Sequence, residues 1–93
     1  MKATVANLVT PHLLSVVDLA KQAEIGGNIE WHLRETVSRT IEALGHQYNA
    51  RDLLTTYIEG LEAAARAKGR IYSAYARALQ AAAAQAAQHL EKV

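Results

Sequence analysis

A chain of 93 residues fits one domain, and at that size a monomer buries only a modest share of its surface, so a partner chain would add stability. Apolar residues make up 51%, yet Phe and Cys are absent and Ala supplies much of the count, a composition suited to close helix packing. A formal net charge of +1 gives no global attraction to nucleic acid or an anionic membrane, and the lack of Cys excludes disulfides, thiolate nucleophiles and zinc ribbons. No apolar run approaches the roughly 20 residues of a membrane span, so the expected location is cytoplasmic, with no membrane partner.

In chain order, residues 1–9 alternate small, polar and β-branched side chains and are expected to form a frayed arm or a short edge strand. Thr10-Pro11 is a helix start, because Thr can cap and Pro at the first helical position lacks only an amide that would be unpaired anyway. Helix 1 is predicted over 11–24. Its apolar residues cover well over half the circumference, as expected of a helix covered on more than one side. Gly26-Gly27 ends it, and Asn28 is placed to cap a second helix over 29–44, whose stripe is Ile29, Leu33, Val37, Ile41 and Leu44, with Gly45 in the C-terminal capping position. Trp31, the only Trp, lies opposite that stripe, where it folds onto helix 1 or anchors a partner.

Asn49 then caps what reads as one long helix over 50–92, with Asp52 favouring its dipole. Its seam, in alternate steps of four and three, is Leu54, Ile58, Leu61, Ala65, Lys68, Tyr72, Tyr75, Leu79, Ala82, Ala86 and His89. That heptad phase runs through Gly69 without a slip. Such a helix would extend about 65 Å, further than its own chain can cover, so the seam is expected to make a dimer or higher oligomer. Large residues early and Ala late suit antiparallel pairing of two copies with Tyr72 at the axis. The fold class is therefore all-α: a short two-helix unit followed by a long helix with a heptad seam. The alternative is a monomeric four-helix bundle that turns at Lys68-Gly69.

The candidate partner-binding residues are Trp31, Lys68, Tyr72 and Tyr75. Lys68 is the seam's one charge, either snorkelling to water or fixing register, with a cation–π contact to Tyr75 of a partner. Opposite the seam, Arg66, Arg70 and Arg77 follow Asp52, Glu59 and Glu62 in line and are a candidate anion or nucleic-acid stripe. The four His are widely spaced, and Glu42 and His46, though at i,i+4, straddle Gly45, so no metal or other cofactor is expected. No phosphate loop, strained Ser turn or carboxylate pair in an apolar pocket marks an active site, and an enzyme is the class with least support.

From Asp18 to Leu33 the chain reads DLAKQAEIGGNIEWHL, with Leu19-Ala20, Ala23, Ile25 and Leu33 at small and apolar positions. This segment resembles the helix-turn-helix pattern of bacterial repressors. The resemblance implies a DNA-binding regulator whose second helix reads DNA and whose long helix dimerises. The segment departs from the pattern at Glu24, where the turn glycine usually stands, and at Glu30, where a buried aliphatic is usual. Three functions are thus in view, in order: an adaptor, scaffold or chaperone-like module that binds another protein as a homo-oligomer; the DNA-binding regulator; and a ligand or metal site between subunits.

Overall fold

In the computed structural model, which describes residues 5–67 and 73–92, the first helix is carried by Val5, Val9, Leu13, Val16, Ala20 and Ala23, recurring every three or four residues. Helix α1 (Val5–Glu24) therefore begins before Pro11 and runs through it, and residues 5–9 are helix rather than arm. Proline's fixed φ is helical, so its cost here is the lost amide hydrogen bond; Val9, fully buried, lies on the core side of this turn. The C-terminus closes as a Schellman turn: the Gly26 amide donates to the Ala23 carbonyl (3.1 Å), the Gly27 amide donates to Gln22 (2.8 Å), and Gly26 takes a φ of +94°.

Helix α2 (Glu30–Gly45) starts one residue later than its stripe suggests. The capping position falls on Ile29, which makes no side-chain cap bond and is buried instead; the core draws in Ile29, and Asn28 is left exposed. Gly45 is the last helical residue and His46 the cap. Helix α3 (Ala50–Ala67) follows, with Asn49 accepting the first amide from Leu53 and Asp52 in the first turn.

The single helix expected over 50–92 is two. Helix α4 (Ala74–Leu90) begins at its own cap, Ser73, whose hydroxyl accepts from the Ala76 amide at 3.0 Å. The Glu24 carboxylate, from the end of α1, accepts from the Tyr75 amide at 3.0 Å, so two of the four orphan amides of the new helix are satisfied. The turn placed at Lys68-Gly69 lies outside the described residues. Helices α3 and α4 make the most extensive contact in the molecule, and the longest dimension is 38 Å, far short of an extended helix. The six residues between them cannot return to the start of an 18-residue helix about 27 Å long, so the pair is antiparallel.

The seam is therefore interior. Leu54, Leu61, Ala65, Tyr75, Leu79, Ala82 and Ala86 are all buried in one chain, with Ile58 packed beside them. The large early and small late residues expected to meet between two copies lie on two contacting helices of one copy. A radius of gyration of 12.7 Å is that of a compact 93-residue domain, so no second chain is needed to cover this seam. Contacts join all four helices around one cluster, with α1, α3 and α4 most tightly associated and α2 packed beside them. No strand occurs among the described residues, and no helix there is long and apolar enough to cross a membrane.

Gly60 sets how closely α1 and α3 approach. A Cβ at Gly60 would lie 2.7 Å from a Leu13 methyl carbon. Gly60→Ala gains about 1 kcal/mol of helix propensity and spends it moving the flexible Leu13 tip, so its melting temperature should stay near that of the wild type. Gly60→Leu drives the helices apart, and thermal denaturation followed by circular dichroism should show a loss of about 1 to 3 kcal/mol.

Candidate functional site

With the seam consumed by the core, function must lie on what the helices turn outward. Among the described residues, large apolar side chains left exposed are few: Ile25 is 86% exposed, Tyr48 100%, Trp31 68%, and Leu14 and Leu8 less so. Trp31 is the largest. It does not fold onto α1 but projects from the first turn of α2, its ring edge-on to His32 with centroids 5.3 Å apart. On the α2 wheel it shares a side with Arg34, Ser38 and Glu42.

That side borders a trough between α2 and α4. Three adjoining hollows, of about 600, 480 and 530 Å³, succeed one another along it. The first lies among Asn28, Leu33, Ala74 and Arg77, the next between Arg34 and Ala81, and the last among Ser38, Glu42, His46, His89 and Lys92. Low numbers of α2 thus face low numbers of α4, and the two helices run parallel. The trough exists because α4 lines it with Ala at 74, 78, 81 and 84, which are too short to fill it. Gln85 braces it across: the side-chain amide donates to the Arg34 carbonyl (3.2 Å) and lies 3.1 Å from the Ser38 hydroxyl. Both protons of that amide are committed, which leaves its oxygen to accept from an occupant.

The expected site residues scatter. Tyr75 is buried, so its ring belongs to the protein's own core and not to a surface anchor. Lys68, Tyr72 and Arg70 lie outside the described residues. Arg66 and Arg77 are exposed, but Arg66 ends α3 and Arg77 lies near the start of α4, so the straight basic stripe of a continuous helix does not exist. Within α2, Arg34 lies 3.7 Å from Glu30 and Arg39 lies 3.3 Å from Glu35; with two Arg against three Glu this helix has a net charge of −1, a poor surface for a phosphate backbone. Glu42, His46 and His89 share a hollow, yet among the described residues no group of His, Asp and Glu is placed to hold a metal.

One polar cluster lies inside. The Thr40 hydroxyl, 3% exposed, spends its proton on the Thr36 carbonyl (3.0 Å) and lies 3.4 Å from His12 Nδ1. Behind it the fully buried Tyr57 hydroxyl makes no hydrogen bond. Burial pushes the Tyr57 pKa up to about 12, and the nearby Thr40 hydroxyl acts in the opposite direction without cancelling it. The Tyr57 hydroxyl is a feature of the core, while His12 and Thr40 border a surface hollow of about 430 Å³ with Ser15, Thr36 and Arg39.

Compared with protein-family models, with curated proteins and with solved structures, the chain finds no match. The sequence marks 81–87 as an Ala-rich end suited to docking on the first two helices, and of the outer α4 face it singles out only Arg77 as a site residue. The signal was present as a second heptad series, Arg77, Ala81, Ala84, Gln88 and Glu91, masked by the stronger seam on the other side of the same helix.

Proposed function

We propose that the chain is a helical protein-interaction module that works as a homo-oligomer, docking through the outer face shared by α2 and α4. The observation that carries this reading is Trp31, left 68% exposed beside a trough floored by Ala. An exposed indole on the helix side that borders a trough of small side chains is the composition of an association hot spot, where a large anchor finds room to bury. The chemistry the trough offers is amide, imidazole and paired charge around short aliphatic side chains, which suits recognition of another helix. Adaptor and scaffold roles would use the remaining surface, since a symmetric pair leaves Ile25 and Tyr48 at opposite ends of each protomer outside the contact.

The test is the Trp31→Ala variant, measured with the wild type by light scattering at a shared micromolar concentration. The wild type is expected at twice or more the 10.1 kDa of one chain. The variant is expected to keep its helical circular dichroism and to associate at least about tenfold more weakly, as a hot-spot Trp does. Equal association of the two proteins would remove Trp31 from the interface.

A further inference from the structure

The proposed oligomer can be made specific by the charges of α4. Every exposed residue of this helix lies on one side, Arg77, Gln80, Ala81, Ala84 and Gln88, and Glu91 continues that side at the cap. Arg77 and Glu91 both oppose the dipole of their own helix: Arg77 is near the positive N-terminal end, and Glu91 is at the negative C-terminal end. Neither is in an ion pair among the described residues. Both are placed correctly for an antiparallel neighbour. About Ala84 the side is self-complementary in charge and polarity, since Gln80 and Gln88 lie four residues either way, and Arg77 and Glu91 seven.

We infer that a second copy of the chain packs its α4 antiparallel on this one across a two-fold axis at Ala84, so that Arg77 of each protomer meets Glu91 of the other. This rests on the homo-oligomer reading above and names its interface. The pairing puts each arginine beside the C-terminal end of the neighbouring helix and each glutamate beside an N-terminal end, which turns two unfavourable charge–dipole terms into favourable ones in each protomer. Gln80 meets Gln88 of the second copy, where amides donate and accept both ways. The methyl of Ala84 allows the axes to approach closely. Among the described residues, other charges nearby do not contest the pairing. Lys92 is turned about 100° toward the trough, Glu24 is bound to the Tyr75 amide, and Glu30 lies against Arg34. An isologous contact of this kind closes on itself as a dimer, and it brings Trp31 of one copy toward the Glu42–His46 end of the other's trough.

Charge reversal tests this. Arg77→Glu and Glu91→Arg each replace two attractions of the dimer by two repulsions and should weaken self-association about tenfold in sedimentation equilibrium. The combined variant restores both pairs with opposite sign and should return to within about threefold of wild type. A residue that merely supported the fold would behave differently, because each single reversal suits its own helix dipole; the monomer, melted at low concentration, should be as stable as wild type or more so. Independently, Ala84→Cys should cross-link to a covalent dimer with a short bismaleimide, while Ala63→Cys, exposed on α3, should not. A dimer indifferent to either reversal, or one that forms without cross-linking through Ala84→Cys, overturns the α4 pairing and leaves the homo-oligomer reading standing. A chain monomeric at every concentration overturns both.

Discussion

Leu61→Ala is expected to lower the unfolding free energy by about 3 kcal/mol, within the 2 to 5 kcal/mol usual for truncating a fully buried leucine. Leu61 is 0% exposed on α3 and belongs to the cluster that all four helices share. A domain of this length has roughly 5 to 14 kcal/mol in total, so the loss takes a large share and should drop the melting temperature by roughly 12 to 24 °C. Protein concentration decides what the leucine does. If the seam of α3 and α4 were a surface between chains, dilution would enlarge the deficit. As interior packing it is a property of one protomer, and denaturant melts of wild type and variant should differ by the same amount at every concentration. A deficit that grows on dilution would return the seam to an interface.

The second large effect is alkaline. Tyr57 has its pKa raised from 10.0 to about 12, first by burial and with only partial relief from Thr40. The neutral phenol is the form the folded protein prefers, so the stability linked to it is complete below pH 10, declines as the pH rises from 10 to 12, and is gone above. The total is about 3 kcal/mol. Tyr57→Phe removes both the titration and a buried hydroxyl with no hydrogen bond, and should be equal to wild type or about 1 kcal/mol more stable at neutral pH. Urea melts of the two proteins across this range should converge on neutral values for the variant alone. A Phe variant that loses the same stability between pH 10 and 12 would assign the drop to other groups.

The all-helical class, the termination of α1 at Gly26-Gly27 and the buried stripe of α2 were legible, because periodicity and glycine act locally. So was the membership of the seam, every described aliphatic position of which packs in the core. Its consequence was not legible. An unbroken heptad phase reports that two stretches turn the same face to a core, and a hairpin meets that condition as well as a straight helix does. The break was marked by Ser73, a good cap sitting three residues beyond Arg70, and completed by Glu24, fifty-one positions from its partner Tyr75. Long-range capping of that kind has no sequence signature. The early start of α1 failed for a related reason: Pro11 is a strong local signal, but burial of Val9 sits on the other side of it. Of the candidate aromatic anchors that are described, Trp31 stands on the surface and Tyr75 lies in the core. Burial separates Trp31 from Tyr75, and burial is set by which faces the hairpin consumes.

Sedimentation equilibrium of the wild-type chain, taken from low to high micromolar concentration at moderate salt, tests the central claim most directly. A reversible rise from 10.1 kDa toward twice that mass, accompanied by a blue shift of the emission of Trp31 as the dimer fills, is the predicted result. A single species of 10.1 kDa throughout, with an emission that never moves, would contradict it.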